Sequence, residues 1–431
     1  MLTHYCVVYR IKALFYERGI FMNILLIGNG FDLAHGLPTR YSNFLDFIDV
    51  INKYKNYEGK FMDVDAWLNQ AAKELNSEIV SILSNDFKNC NFVIVNNLYD
   101  RTKENIWIKY FEDNKNNIGK NWVDFESEIS VIVKIIEESL THNCFTGKIF
   151  MDAKRVKDFC KETKRDSINL LKLFKNIDEP DAEKTYSFIK KLNKDLDDLI
   201  IALQIYLYYF VNNIKNIDCK QFIESLDIDK VISFNYTDTY NRLYDKSGCA
   251  EYNYIHGKVH KDNYISKSDI VLGIEEYFDV EEQNKYLEFV SFKKYYQRIR
   301  KHTDSKYYDW ITDIQKEQEE YYKKLSFKEK IKLCIWILKE KFRDIEHNLP
   351  LPQLNKEQHN LYIIGHSLDD NDKDILRELI LNDNVTTTIY YYKKDYDKTI
   401  CNLIKTIEMK EASLRTKGKN QTIFLVEQPE N

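Results

Sequence analysis

The chain has 431 residues, of which 30% are charged and 44% are hydrophobic, a composition typical of globular proteins. Its net charge of −5 provides no overall basic field that would recruit nucleic acid. No apolar run approaches the ~20 residues that cross a bilayer. The chain is long for one domain, so we expect one core with large additions or about two to three domains.

The eight cysteines are scattered, and no two have Cys-x-x-Cys spacing. The pattern therefore predicts no structural zinc. In the absence of a secretory signal, we expect reduced thiols and a cytoplasmic protein.

Residues 1–21 differ from the rest of the chain, because charged side chains interrupt their apolar stretch. That interruption is not typical of a signal peptide. Met22 directly precedes the first apolar run, and we expect it to be the natural start, with 1–21 a non-native leader. A real but frayed terminal extension is the alternative.

A glycine-rich segment follows the first predicted strand, residues 24–27. Residues 28–38 contain Gly28, Gly30 and Gly36 and end at Pro38. A strand followed by Gly-x-Gly and a helix is how α/β folds place backbone N–H groups under a phosphate. We expect the first two glycines to let the backbone approach a ligand without Cβ interference.

Helical patterns dominate the middle of the chain. Residues 41–55 have apolar side chains at helical spacing, and 62–226 show helical patterns with almost no strand signals, including 122–140 and 187–211. We predict a helical insertion over 58–226 and a second one over 275–343.

Short β-rich runs surround these helical blocks. They lie at 229–234, 252–256, 270–273, 361–365, 386–392 and 422–426. Strands interleaved with helices predict an α/β fold with a Rossmann-like parallel sheet and large helical insertions. The sheet core would comprise 22–57, 227–274 and 344–431.

Four predicted strands end in small or hydrogen-bonding residues. These ends are residues 28–32, 235–238, 256–257 and 365–369. Because ligands bind at the carboxyl ends of strands in open α/β sheets, we expect the four segments to converge on one crevice.

In order and spacing, the four segments resemble the NAD-binding core of sirtuins. Residues 28–38 keep the register of the sirtuin glycine loop, with Asp32 where sirtuins have Ser. Residues 235–237 resemble the sirtuin Asn-x-Asp, 256–257 the catalytic His-Gly, and 365–368 the ribose loop Gly-Thr-Ser-Leu.

The chain departs from sirtuins in three respects. It lacks their zinc-binding cysteine quartet, and with it the reason to expect deacylation of acyl-lysine. Thr237 replaces an Asp that helps to hold the nicotinamide end. Asp32 would place a carboxylate near a pyrophosphate, which is unfavourable unless it points at a ribose or caps the helix.

More closely, the chain resembles the AbiH family of bacterial abortive-infection proteins, over residues 22 to about 392. The segments that carry this resemblance are 28–39, 121–126, 233–237, 255–257 and 365–368. Membership would imply a role in defence against bacteriophage.

The resemblance implies two catalytic residues and a set of ligand contacts. Asn235 would orient a water or a ribose hydroxyl, and His256 would be the general base, since its reference pKa of ~6.5 suits proton transfer near neutrality. Ser367 would hold the ribose and the amides of 28–32 the diphosphate. The predicted NAD-binding residues are Gly28, Asn29, Gly30, Phe31, Asp32, Pro38, Thr237, Asp238, Gly257, Gly365, His366 and Ser367.

Each candidate also has a structural interpretation. His256 could hydrogen-bond a neighbouring carbonyl, and Asn235 could cap a turn. Glu126 is either a solvated charge or a residue of the crevice. The basic and aromatic run 295–301 is a solvated helix face by default, with a phosphate or nucleic-acid contact as the alternative.

Three functions stay open at this stage. The first is hydrolysis of NAD by a phage-defence effector, in which the helical insertion gates the crevice or binds a phage-derived trigger. The second is a sensor that binds NAD or ADP-ribose without turnover. The third and weakest is a metal-dependent nuclease-type toxin. Assembly into a homo-oligomer also stays open.

Overall fold

The computed structural model describes residues 21–57, 64–88, 92–114, 125–143, 148–151, 182–261, 267–274, 287–303, 305–324, 359–368, 372–418 and 421–429, together with 154 and 158. The predicted leader, apart from Phe21, lies outside the described residues. So do residues 121–124 of the second AbiH segment and Asp369 at the end of the last strand-end segment.

The strands form a six-stranded, all-parallel sheet and a separate two-stranded hairpin. They are β1 (Asn23–Ile27), β2 (Leu140–Asn143), β3 (Lys148–Met151), β4 (Lys230–Ser233), β5 (Glu251–Tyr254), β6 (His359–Ile364), β7 (Val385–Tyr391) and β8 (Ile423–Glu427). The hairpin β2–β3 was not predicted; the sequence analysis found almost no strand signal in this region.

The α-helices of the described residues flank the sheet or lie in the insertions. They are α1 (Asn29–Ala34), α2 (Tyr41–Tyr57), α3 (Val64–Ala71), α4 (Ser77–Lys88), α5 (Phe92–Thr102), α6 (Ile106–Asn114), α7 (Phe125–Ser139), α8 (Ala182–Ile205), α9 (Gln221–Glu224), α10 (Thr239–Leu243), α11 (Lys294–Lys301), α12 (Lys306–Lys324), α13 (Lys373–Ile380), α14 (Tyr396–Ile407) and α15 (Met409–Arg415). A π-helical turn, Tyr206–Phe210, continues α8. Short 3₁₀ turns lie at Val211–Asn213, Leu287–Phe292 and Lys393–Asp395.

The strand order across the sheet is β5-β4-β1-β6-β7-β8. Numbered by their succession in the chain, the six strands have the order 3-2-1-4-5-6 of doubly wound dinucleotide-binding folds. The predicted Rossmann-like parallel sheet is therefore confirmed. The order reverses between β1 and β6, which is where such folds bind their ligands.

Both faces of the sheet are covered, which explains the nearly uniform apolar runs in its strands. On one face, Ile24 and Leu26 pack with residues of α12, α13 and α14. On the other, Leu25 and Ile27 pack with residues of α1, α9 and α10.

The helices between β1 and β4 form a core of their own. Apolar residues of α2 through α8 pack together there with Val259, Ile270, Leu272, Ile274, Phe289 and Phe292. Residues 41–57, predicted to belong to the sheet core, pack into this helical cluster, whereas Tyr307 to Ile314 of the predicted second insertion pack on the sheet. Packing thus runs across the predicted domain boundaries.

The strand predicted at residues 270–273 is wrong. Only an isolated bridge between Ile274 and Lys293 forms there. The side chain of Gln297 takes the place of a neighbouring strand, because it accepts from the amide of Leu272 at 3.1 Å and donates to its carbonyl at 2.8 Å. Separately, none of the helices described above is both long and apolar enough to cross a membrane.

Candidate functional site

The four polar strand ends follow β5, β4, β1 and β6, which are adjacent in the sheet. Carboxyl ends of parallel strands meet at one edge, so the four segments lie together as predicted. The edge spans the point where the strand order reverses.

The glycine turn after β1 packs directly on the turn after β6. Gly28 donates its amide hydrogen to the carbonyl of Ile364 at 3.3 Å, and Gly30 donates to that of Gly365 at 2.8 Å. A Cβ on Gly30 would lie 2.7 Å from the Gly365 carbonyl oxygen, and one on Gly365 (φ +68) would lie 2.0 Å from the nitrogen of Phe31. These glycines therefore allow two backbone segments to approach each other, and two amides predicted to hold a diphosphate already bind protein carbonyls.

Asp32 is buried and points toward the segment after β4. Its Oδ2 accepts a hydrogen bond from the hydroxyl of Thr237 at 2.5 Å, and the hydroxyl of Thr239 donates to that of Thr237 at 3.1 Å. Its Oδ1 has no partner among the residues that the structure describes. Burial raises the pKa of this carboxyl to about 6, although the hydrogen bond from Thr237 opposes the rise.

Asn235 lies beside Asp32 with an uncommitted side chain. It is 4% exposed, and within the described part of the chain neither its amide nitrogen nor its amide oxygen makes a hydrogen bond of ordinary geometry. The amide is nonetheless close enough to lower the pKa of Asp32. Because buried amides are almost always paired, this side chain is a candidate for contact with a ligand or water rather than a turn cap.

His256 and His366 share the carboxylate of Asp372. Nε2 of His366 lies 3.2 Å from Oδ2 of Asp372, and Nε2 of His256 lies 3.4 Å from Oδ1. Nδ1 of His366 accepts the amide hydrogen of Leu368 at 3.0 Å, so its proton resides on Nε2 and is directed at the carboxylate. The two imidazoles hold the pKa of Asp372 well below its usual range despite burial.

This arrangement leaves one nitrogen of His256 as a proton acceptor. Oδ1 of Asp372 makes no hydrogen bond of ordinary geometry within the described residues, so Nε2 of His256 faces the ionised carboxylate through an electrostatic contact. With the proton of the neutral ring on Nε2, Nδ1 carries the lone pair. That Nδ1 is buried and has no partner among the described residues. Burial and the positive charge of Lys294 lower the pKa of His256, so the ring is neutral at pH 7.

A buried ion pair lies next to the histidine. Nζ of Lys294, whose side chain is 3% exposed, is 2.7 Å from Oε2 of Glu126 on α7. The charges of Lys294, Glu126 and Asp372 all act on the pKa of Tyr236, whose ring centroid lies 6.5 Å from that of His256. Glu126 thus belongs to the surroundings of the site and is not a fully solvated charge.

Several other predicted contacts have roles within the protein. Pro38 accepts a hydrogen bond from the hydroxyl of Tyr206 at 2.8 Å, and Asn29 accepts one from Thr39 at 2.6 Å. The ring of Phe31 is fully buried against aromatic residues of the core.

The remaining predicted residues lie at the edge itself. Ser367 is exposed, and its carbonyl accepts from Asn402 at 2.8 Å. Gly257 has φ +77, and a Cβ there would lie 1.9 Å from the carbonyl oxygen of Asp269. Asp238 forms an ion pair with Lys258 at 3.2 Å.

Sequence reasoning missed Asp372 and Lys294. Asp372 follows two other acidic residues just before a helix, a pattern that indicates an N-cap. It does occupy the N-cap position of α13, but its side chain makes no capping hydrogen bond and faces the histidines. Lys294 immediately precedes the basic and aromatic run, and no signal in the sequence distinguishes it from its exposed neighbours.

No group of three or more His, Cys, Asp or Glu side chains in the described ranges is arranged to hold a metal ion. In the comparisons with known proteins, no curated protein and no solved structure matches the chain. The resemblance to sirtuins therefore stays a prediction from short motifs.

A family comparison covers most of the chain, including all four strand ends. The model of the family described as Bacteriophage abortive infection AbiH matches residues 24–392. That span includes Asp32, Asn235, His256 and Asp372. The chain belongs to the AbiH family, and its role lies in abortive infection directed against bacteriophage.

Proposed function

We propose that the protein acts in abortive infection by hydrolysing the N-glycosidic bond between nicotinamide and ribose in NAD. One observation carries the proposal. A neutral histidine, with its Nε2 facing an ionised aspartate and its Nδ1 without a partner among the described residues, lies at the same sheet edge as a buried asparagine amide that likewise has no partner there. Such a pair of groups suits activation of a water molecule.

The reaction needs a base and charge stabilisation rather than a strong acid. The oxygen of water bonds to C1′ as the C1′–N bond breaks, and that electron pair neutralises the cationic nicotinamide ring. Nδ1 of His256 accepts the proton released by water, while Asp372 stabilises the resulting imidazolium. The products are nicotinamide and ADP-ribose.

The polar atoms beside His256 fit the ribose end of this substrate. Oδ1 of Asp32, which has no partner in the described part of the chain, can accept a hydrogen bond from a ribose hydroxyl, and the amide of Asn235 can orient a hydroxyl or the water. Oδ2 of Asp32 is already engaged by the hydroxyl of Thr237, in the segment after β4. The amides of Gly28 and Gly30 do not fit the diphosphate, because they donate to Ile364 and Gly365.

In the cell, this activity would deplete cytoplasmic NAD once a phage-derived trigger releases it. A contact between the helical insertion and the surroundings of His256 supports such control. Glu126 on α7, in the helical insertion, pairs with Lys294, whose charge acts on His256. Movement of the insertion would therefore change the electrostatic surroundings of His256.

The test is product formation from NAD by the purified full chain, with and without phage lysate. We expect nicotinamide and ADP-ribose from the parent and a loss of about 100-fold or more in His256→Ala and Asn235→Ala. His260→Ala is the matched control, because that side chain is 41% exposed and its ring contacts Asp269 and the carbonyl of Lys258 rather than the buried groups around His256.

Absence of turnover under both conditions would contradict the proposal. Calorimetric binding of NAD or ADP-ribose without turnover would favour the sensor function instead. Retention of full activity in His256→Ala would remove the assigned base.

A further inference from the structure

A dinucleotide carries a diphosphate, whose negative charge needs donors or cations at the sheet edge. The glycine turn does not supply them, because its two glycine amides already bind carbonyls of the β6 turn. Lys294, whose charge acts on His256, does not supply them either, because it is buried against Glu126.

Two other cations meet at one carboxylate on this edge. Nζ of Lys258 lies 3.2 Å from Oδ2 of Asp238, and Nε of Arg242 lies 3.7 Å from Oδ1. The three side chains therefore carry one net positive charge. The side chain of Lys258 is 38% exposed, so its ammonium is accessible to a ligand.

An aromatic ring fixes the position of this lysine. The ammonium of Lys258 lies 5.3 Å from the centroid of Tyr254, within the range of a cation–π contact. Burial raises the pKa of the Tyr254 hydroxyl, and the charges of Asp238 and Asp32 raise it further, so this ring lies close to the carboxylates of the site. An ammonium held by a ring and a carboxylate loses less conformational freedom when an anion binds.

The chain places these cations beside the candidate catalytic residues. Lys258 is separated from His256 only by Gly257, which turns the backbone at φ +77. Asp238 is three residues after Asn235, in the segment that follows β4. Because only Gly257 separates His256 from Lys258 in the chain, one ligand can contact both residues.

We propose that Lys258 and Arg242, with Tyr254 beneath the lysine, form a binding site for the diphosphate of a nucleotide. Two cations on a shared carboxylate present fixed donors on either side of it, and phosphate oxygens are strong acceptors for both ammonium and guanidinium groups. The identity of the nucleotide as NAD rests on the proposed function, whereas the diphosphate site itself does not.

The test is calorimetric titration of the full chain with ADP and with inorganic pyrophosphate. Lys258→Met and Arg242→Gln should each weaken binding by about tenfold or more, and raising the salt concentration should weaken binding to the parent more than to Lys258→Met. Arg242 also donates to the carbonyl of Asn212, so Arg242→Lys, which keeps the charge, separates loss of charge from loss of that contact.

The control is Lys246→Met, a lysine that is 79% exposed and pairs with Glu224 at 3.8 Å. It should bind ADP like the parent. Equal binding by the parent and Lys258→Met would overturn the proposal, as would absence of binding of both ADP and pyrophosphate to a folded parent.

The diphosphate site and the proposed hydrolysis can be contradicted independently. Lys258-dependent ADP binding in a protein that does not cleave NAD keeps the diphosphate site and removes the hydrolase. NAD cleavage with a KM that Lys258→Met leaves unchanged keeps the hydrolase and removes the site.

Discussion

The turn after β1 and the turns after β4 and β5 lie at one sheet edge, but they differ in whether their polar groups have hydrogen-bond partners. In the turn after β1, Gly28 and Gly30 donate to carbonyls after β6, so the backbone is satisfied internally. After β4 and β5, Asn235 and His256 hold buried atoms without partners among the described residues. The comparison teaches that a glycine pattern can report close backbone packing, while the chemistry lies where buried polar atoms are unpaired.

The largest effect expected is that of Asp372→Asn on catalysis. An asparagine lacks the negative charge that Asp372 presents to both His256 and His366, so the base would lose its stabilising partner. We expect kcat/KM for NAD to fall by about 100-fold or more. Asp374→Asn, at an exposed position of the same helix, should match the parent. Parent-like kinetics of Asp372→Asn would show that the polar groups after β4 and β5 are not the catalytic site.

Gly365→Ala and Gly36→Ala test whether the close packing between the turns after β1 and β6 requires glycine. Both glycines have positive φ, but a Cβ on Gly365 meets the backbone of Phe31, whereas one on Gly36 meets nothing within 4 Å. We expect the free energy of unfolding to fall by about 2–4 kcal/mol for Gly365→Ala and by about 1 kcal/mol for Gly36→Ala, in denaturant titrations. Equal losses would mean that the contact between the two turns does not require glycine.

Asp32→Asn should stabilise the protein at neutral pH. The pKa of Asp32 rises on folding from 3.8 to about 6, so ionisation of this carboxyl opposes folding by up to about 3 kcal/mol at pH 7 and above. At pH 8 the free energy of unfolding of the variant should exceed that of the parent by about 1–3 kcal/mol. This difference should shrink as the pH falls through 6 and vanish near 4.

Denaturant titrations at several pH values measure this dependence. A variant less stable than the parent at pH 8 would contradict the assignment of Asp32 as a buried charge. Asp46→Asn, on α2, provides a control outside the site.

The smallest effect concerns the pH dependence of turnover. The pKa of His256 lies below 6.5 because burial and Lys294 disfavour its charged form, while Asp372 and Glu126 act in the opposite direction. Since the neutral ring is the base, kcat/KM should be constant near pH 7 and fall about tenfold per pH unit below the pKa. An acid limb centred above pH 7 would contradict this environment. In Asp32→Asn the limb should persist, because it belongs to His256.

The sheet was largely predictable because its strands are short apolar runs buried on both faces. Residues 24–27, 229–234 and 361–365 were predicted as strands and correspond to β1, β4 and β6. The run at 270–273 has the same composition but pairs with the side chain of Gln297, which no local pattern reveals. The hairpin β2–β3 was missed because apolar residues at helical spacing dominate the segment around it.

The candidate site was predictable only where its residues directly follow strands. Asn235 and His256 do so, and their positions are set by the topology. Asp372 and Lys294 begin helices far along the chain, and they reach His256 through tertiary packing. The hydrogen bonds of Gly28 and Gly30 to the β6 turn are likewise a long-range contact, which the motif alone does not distinguish from a phosphate site.

The most direct measurement is a crystal structure of the full-length His256→Ala variant soaked with NAD. We predict that the ribose carbon bonded to nicotinamide lies within about 4 Å of the Asn235 amide, with Asp32 facing a ribose hydroxyl. NAD seated elsewhere on the protein, or with its nicotinamide ribose turned away from Asn235, would contradict the assignment of this sheet edge as the active site.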